Sequence, residues 1–295
     1  MKNENKSKIL IIIAMTIWGT IGIFRRYIPL SSGMIALTRG VMGCAFLGAV
    51  MAITKKKFEW KNIKENLLIL LISGAVMGVN WILLFEAYEY TSVATATLCY
   101  YMEPVFVMAV SPIFLKEKLS VKKVVCILIS LVGMVLVSGI LKTTEFKVSE
   151  FAGVFLGLGA AVLYATVVIL NKKLKPIAAY DKTIMQLLSA SIVILPYVLL
   201  VDNFKEISLE PVNIVMLLLV GLIHTGIAYT LYFGSMSNVK AQTVAIFSYI
   251  DPVVAIILSA LILKEKMGMA EIIGAVLILG ATLVCEINFK KKYNS

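Results

Sequence analysis

The chain has 295 residues, of which 60% are hydrophobic and 15% charged, with a net charge of +11 and a mean hydropathy of +0.94. Soluble domains average roughly 45–50% apolar and about 25% charged; here the excess falls in blocks near twenty residues long that are apolar on all sides, and that distribution excludes one large soluble core. The Lys and Arg excess sits in short loops between apolar blocks, where it sets membrane topology; no basic stripe interleaved with aromatics marks a nucleic-acid face.

Apolar blocks of near-span length predict an all-α integral membrane protein with about ten transmembrane helices. In chain order the first five are Lys8–Phe24, Ser32–Ile53, Asn66–Tyr88, Val93–Leu115 and Val121–Leu141. The second five are Phe151–Leu170, Asp181–Val201, Val212–Phe233, Val239–Leu263 and Ala270–Ile287. At about 1.5 Å per residue each crosses a hydrocarbon core about 30 Å thick. Met1–Lys8 and the apolar run behind it resemble a signal peptide. No A-x-A-like cleavage site follows and the run continues through Trp18, so an uncleaved first span is expected. Counting basic residues at Lys2–Lys8, Lys55–Lys64, Lys116–Lys123, Asn171–Lys175 and Lys290–Lys292 predicts a multi-pass protein of the cytoplasmic membrane with both termini inside. Arg25–Arg26 and Lys264–Lys266 are exceptions on the outer side.

An internal repeat organises the chain. Tyr101-Met102-Glu103-Pro104-Val105 recurs as Tyr249-Ile250-Asp251-Pro252-Val253, and Lys116-Glu117-Lys118 recurs as Lys264-Glu265-Lys266. Acid to acid and Glu to Glu, the offset is 148 residues, shared by Gly78 with Gly226 and Phe85 with Phe233. This divides the chain into repeats 1–148 and 149–295. Five spans per repeat is odd, so the copies cross the membrane in opposite senses, as in secondary transporters whose halves rock about a midplane site.

Trp18-Gly19, Arg39, Glu103-Pro104, Lys116-Glu117-Lys118-Leu119 and their echoes, spread over ten spans, resemble the drug/metabolite transporter superfamily, EamA type. The resemblance implies a ten-helix bundle around a central cavity, termini inside, and transport of small metabolites, often export of amino acids or related compounds. The small four-span multidrug relatives use a carboxylate in their first span. Here that span has Thr16, Trp18 and Thr20, and the sixth has Tyr164 and Thr166, so proton coupling through that site does not carry over.

Candidate transport residues follow from chemistry at depth. Glu103 and Asp251 are mid-span acids, each costing roughly 2.5–3.5 kcal/mol to insert. Pro104 and Pro252 are hinge candidates, leaving the carbonyls of Tyr100 and Ser248 without a helical donor. These acids either coordinate a solute or cation, or are tied to a neighbouring helix at a kink. Arg39 either grips a substrate carboxylate or neutralises Glu103. Trp81, Phe85 and Tyr88 share one face of the third span; with Trp18, Tyr101, Tyr164, Tyr229, Tyr232 and Tyr249 they either line the cavity, where they can hold a cation, or pack. Tyr88 and Phe233 read as interfacial belt. Asn80, Gln186 and His224 either bond between helices or face the cavity. Gly74-x-x-x-Gly78 and Gly153-x-x-x-Gly157 read as close helix packing, and Glu117 and Glu265 as interfacial anchors or loop-locking ion pairs.

Cys44, Cys99, Cys126 and Cys285 all lie inside apolar blocks without C-x-x-C spacing, and His224 is the sole histidine, so no metal site, disulfide framework or cofactor is expected. No nucleophile elbow, zinc-protease motif or Walker A is present, which argues against an enzyme and against ATP-driven pumping by this chain. The expected function is a secondary transporter exporting small metabolites such as amino acids by alternating access. The rival readings are uptake of a cationic nutrient of quaternary ammonium type, and a channel-like facilitator. The partners implied are a small-molecule substrate, the lipid bilayer and a coupling proton or cation, with no nucleic acid; the sequence sets no oligomeric state.

Overall fold

The computed structural model describes residues 2–116, 120–137, 148–202, 210–236, 238–239 and 247–286. Glu117, Lys118, the early part of the predicted ninth span, the loops at 142–147 and 203–209, the Phe233 side chain and the Lys290–Lys292 cluster lie outside that description. The described residues are helical, without strands. In order they form α1 (Lys2–Gly19), α2 (Ile21–Arg26), α3 (Ser32–Ile53), α4 (Trp60–Tyr90), α5 (Val93–Tyr100), α6 (Glu103–Phe114) and α7 (Val121–Val137). Then come α8 (Val148–Lys172), α9 (Ala179–Val201), α10 (Pro211–Leu219), a π-helical segment (Val220–Ile227), α11 (Ala228–Met236), α12 (Ile250–Leu261) and α13 (Met269–Glu286). Seven of the described helical runs are long and apolar enough to cross a membrane, and Ile250–Leu261 and Met269–Val284 are shorter apolar helices.

The surface is inverted relative to a soluble protein. Val121, Leu128 and Val132 on α7, Leu200 on α9 and Val276 on α13 are exposed, while Arg39, Asn80, Gln186 and His224 are buried. In lipid a buried polar group must be satisfied from within the protein, and several of these tie helices together. Gln186 Nε2 donates to Ser73 Oγ and Asn171 Oδ1, both at 2.7 Å, and Ser189 Oγ donates to the Leu71 carbonyl at 2.6 Å.

Small residues set the helix spacing, as the glycine pairs predict. A Cβ on Gly74 would lie 2.5 Å from the Gln186 carbonyl and 2.6 Å from Ser189 Cβ; one on Gly157 would lie 2.8 Å from Cys99 Cβ. α7 crosses α13 through Gly133, whose Cβ would lie 2.8 Å from the Gly274 carbonyl. Because the Gln186 carbonyl is backbone and cannot move aside, Gly74→Ala is expected to destabilise by about 1–3 kcal/mol. Gly48→Ala, where nothing lies within 4 Å, is expected to leave thermal melting of the purified protein unchanged. Equal melting of the two variants would show that the α4–α9 seam is looser than its geometry.

The two sequence repeats are not separate bodies. α4 packs against α8 and α9, α1 against α11 and α12, and α7 against α13. Close glycine contacts cross between the repeats, Gly74 against α9, Gly157 against α5 and Gly133 against α13, so the helices of the two repeats interleave.

α4 orders the two ends of the bundle. At its start, Asn66 Oδ1 accepts from Lys175 N at 2.8 Å, and Lys173 Nζ sits 5.6 Å from the ring centroid of Phe114, beside Lys116. Past its end, the Thr91 carbonyl accepts from Arg26 Nη2 at 2.9 Å, and Arg26 also reaches Glu265. At about 1.5 Å per residue, α4 holds these ends roughly 45 Å apart. The Lys116 and Lys264 turns therefore emerge at opposite ends, as two oppositely threaded repeats require. Both lysines adopt the same left-handed backbone, φ 56° and 55°.

Candidate solute-binding site

Four departures from regular helix meet in the bundle. The first span breaks between α1 and α2 at Thr20, the fourth between α5 and α6 at Tyr101–Met102, and the ninth turns at Tyr249 into α12. The eighth widens to π-helix over Val220–Ile227. Pro104 and Pro252 fall in the first turns of α6 and α12, as do the acids Glu103 and Asp251. Proline is tolerated there because first-turn amides have no helical acceptor, and the positive end of a helix favours an acidic side chain. The breaks at Thr20 and in the π segment carry no proline and were not anticipated.

Close packing joins these irregular segments. A Cβ on Gly19 would lie 2.6 Å from the Asp251 carbonyl and 2.7 Å from Val254 Cβ, so only glycine lets α1 rest on the first turn of α12. Trp18 Nε1 donates to the His224 carbonyl at 2.7 Å, and Thr20 Oγ1 lies 2.7 Å from His224 Nε2. His224 Nδ1 faces the Leu219 carbonyl at 3.3 Å; since a carbonyl only accepts, that nitrogen carries the hydrogen. Phe24 meets the imidazole edge-on at 4.7 Å, and Trp18 meets Tyr229 and Tyr232, each at 5.3 Å between centroids. His224 thereby clamps the π segment to the break in the first span.

Arg39 lies 4.5 Å from the centroid of Trp81 and 5.8 Å from that of Phe85. Its Nε donates to Thr225 Oγ1 at 3.0 Å, and Tyr229 lies within its electrostatic reach. Among the described residues Arg39 has no carboxylate ion-pair partner. The Arg39–Glu103 pair that depth counting allows is not formed: the guanidinium turns instead to Trp81 and the π segment.

Asp251 lies within electrostatic reach of Arg39 and of Tyr101. The Tyr101 hydroxyl donates to the Ser248 carbonyl at 3.3 Å, the carbonyl that Pro252 deprives of its helical donor. A side chain of the first repeat thus satisfies the backbone defect of the second, with the two tyrosine rings 6.5 Å apart. Glu103 lies within electrostatic reach of Tyr100 and Tyr164, whose rings stand 5.5 Å apart. Tyr101, Tyr164, Tyr229 and Asp251 are surrounded by protein yet keep accessible surface, as do Trp18, Thr20 and Glu103. These polar and aromatic groups at mid-span are partly exposed beside buried neighbours.

Of the sequence-derived candidates, Trp18, Tyr101, Glu103, Tyr229 and Asp251 lie at or next to the helix irregularities and are partly exposed, while Arg39, Trp81, Tyr249 and His224 are buried beside them. Asn80 lies apart: it is fully buried, and its Nδ2 donates to the Ala160 carbonyl at 2.5 Å, joining α4 to α8. Gln186 likewise works between helices, towards the α4 start. Tyr88 is buried with its hydroxyl 3.4 Å from Thr97 Oγ1; it is not interfacial belt, because α4 runs on to Tyr90 and α5 folds over its end. Thr225 went unremarked in the sequence. The one signal for it is the polar pair His224-Thr225 set between Gly221 and Gly226 in an otherwise apolar span.

The comparisons with known proteins agree with this architecture. A profile of the EamA-like transporter family matches residues 5–139 and again 151–285. The chain is 29% identical over 293 residues to the uncharacterized transporter YxxF of Bacillus subtilis (strain 168), covering 99% of this chain and 93% of that one. It is 21% identical over 279 residues to protein RarD of Escherichia coli (strain K12), covering 90% and 89%. A solved crystal structure superposes with a TM-score of 0.66 at 16% identity over 96% of both chains, which shows the shared fold. Two copies of one family unit, laid over the two sequence repeats, make this chain a member of the EamA-like transporter family.

Proposed function

We propose that the chain is a secondary transporter, working by alternating access, that exports small zwitterionic metabolites such as amino acids across the cytoplasmic membrane. In this reading residues 1–148 and 149–295 are its oppositely threaded repeats and both termini are cytoplasmic. The observation that carries the substrate class is Arg39, stacked on Trp81, held by Thr225 and within electrostatic reach of Asp251; the solute is placed between the two. A fixed guanidinium offers a carboxylate two parallel N–H donors, and the acid opposite complements an ammonium group. Tyr101, Tyr164 and Tyr229 supply apolar faces between the two charges. Asp251 and Glu103 are also the groups through which a proton or cation would be coupled.

The cationic-nutrient reading fares worse, because Arg39 already occupies the face of Trp81 and repels a second cation there. The channel-like reading needs a continuous path, whereas the breaks at Thr20, Tyr101 and Tyr249 supply hinges at one level.

Counterflow in proteoliposomes tests the proposal. Labelled amino acid uptake should accelerate when unlabelled amino acid is preloaded inside, since alternating access exchanges solute faster than it returns empty. Absence of that stimulation, with uptake still dissipating a gradient, would establish a channel. Inhibition by quaternary ammonium compounds and not by amino acids would establish the rival substrate.

A further inference from the structure

Three half-helices run from the breaks to the same end of the bundle. α2 leaves Thr20 and ends at Arg26, α5 runs from Val93 down to Tyr101, and α12 climbs from Tyr249 towards the Lys264 turn. They pack on one another: α12 touches both α5 and α2, and a Cβ on Gly22 would collide with Val93 Cγ1. α4, α8 and α9 by contrast are unbroken over their full lengths. The bundle therefore combines a continuous scaffold with a hinged wedge that lies between the solute space and one membrane face.

The far ends of all three half-helices are gathered by a single carboxylate. Glu265 Oε2 accepts from the Val93 amide at 2.9 Å, a first-turn donor of α5 with no acceptor in its own helix. The same oxygen accepts from Ser259 Oγ on the last turns of α12. Glu265 Oε1 pairs with Arg26 Nη2 at 3.3 Å, and Arg26 in turn donates to the Thr91 carbonyl at 2.9 Å, fastening α2 and the wedge to the end of scaffold helix α4. The left-handed turn at Lys264 (φ 55°) folds Glu265 back over α12, and its amide donates to the Ser259 carbonyl at 3.2 Å. A non-glycine residue adopts that backbone only where its surroundings hold it. The Glu265 side chain is 18% exposed and that of Arg26 30%, so water reaches the cluster without dissolving it.

From this geometry we propose that Glu265 is the latch of a three-half-helix gate. While its carboxylate holds Arg26, Val93 and Ser259, the Arg39–Asp251 space is closed towards this face, and release lets α2, α5 and α12 swing on the breaks at Thr20, Tyr101 and Tyr249. The assignment rests on the transporter reading for its purpose but on local geometry for its existence. It is specific because each contact engages a different half-helix.

Amide hydrogen exchange on the full chain in lipid nanodiscs, without solute, tests the latch. Glu265→Gln keeps the shape and an accepting oxygen but loses the charge that draws Arg26. Exchange should rise about tenfold over 93–100 and 250–261 while α4 and α8 stay as in the parent. An increase confined to 264–268, or one spread equally over α4 and α8, would overturn the proposal. Arg26→Gln leaves the caps on Val93 and Ser259 and should raise exchange in the same two segments by a smaller factor. Unchanged exchange in that variant would also overturn it, and it stands in should Glu265→Gln fail to fold. A protein that performs counterflow but whose variants exchange like the parent refutes the latch alone. One that shows the exchange pattern without counterflow refutes the transporter reading alone.

Discussion

Arg39→Lys is expected to cut amino acid counterflow by roughly tenfold to a hundredfold while leaving the protein folded. The substitution preserves the charge, so a site that needed only a cation would tolerate it. Arg39 does more than supply charge. Its planar group lies over Trp81 at 4.5 Å and spends Nε on Thr225, which leaves the two terminal nitrogens to face a carboxylate side by side. A lysine ammonium neither stacks in that manner nor forms the two-pronged contact. Losing one hydrogen bond to a charged group costs about 1.5–3 kcal/mol, and each 1.4 kcal/mol or so is a factor of ten, which sets the expected range. Trp81→Phe should retain part of the stack and lose less. Thr225→Val, which removes the acceptor for Nε without touching the charge, should weaken solute binding more than turnover. Near-parental counterflow in Arg39→Lys would mean that the guanidinium fork does not hold the solute, and the zwitterion assignment would fall with it. A large drop in melting temperature for Arg39→Lys would instead mark Arg39 as structural.

The spans and the repeat were legible because lipid imposes simple demands on a sequence. A helix must be apolar for about twenty residues, and both copies of the acid-Pro pair announce a defect at one depth. Depth, however, is not direction. Counting along antiparallel helices puts Arg39 level with Glu103, yet the side chain rotates towards Trp81 and Thr225, and which way a helix faces is set by its neighbours. The break at Thr20 could not be read locally, since Gly19 matters only because the Asp251 carbonyl lies 2.6 Å from where its Cβ would be, on a helix from the other end of the chain. The π segment was equally hidden. A hydrogen-bonded turn with one more residue leaves an apolar run looking like any other, and the close seating of Gly226 on Phe46 and of Gly221 on Met42 involves α3, far away in sequence. Its lysine neighbours mark Glu265 as either an interfacial anchor or a loop-locking ion pair. That it caps a helix 172 positions earlier follows only from the fold.

Asp251→Asn is expected to abolish transport with little loss of stability, and Tyr101→Phe is expected to impair both. The two differ in what each leaves behind. Asparagine fills the same volume and leaves the Tyr101–Ser248 bond untouched, so the local packing stays intact while the charge within reach of Arg39 disappears. Phenylalanine removes the hydroxyl that serves the Ser248 carbonyl at 3.3 Å, a carbonyl without a helical donor beside Pro252, and an unsatisfied buried acceptor costs about 1–3 kcal/mol. Tyr101→Phe should therefore lower the melting temperature as well as the rate. Because Tyr101 and Asp251 lie within each other's electrostatic reach, the loss in the double variant should depart from the sum of the single losses. If Asp251 serves only to finish a kink, the opposite pattern follows: Asp251→Asn would melt early and still transport. The comparison of melting with counterflow in these three variants thus separates an acid that meets the solute from one that merely braces the break, the alternative that sequence alone left open for both Asp251 and Glu103.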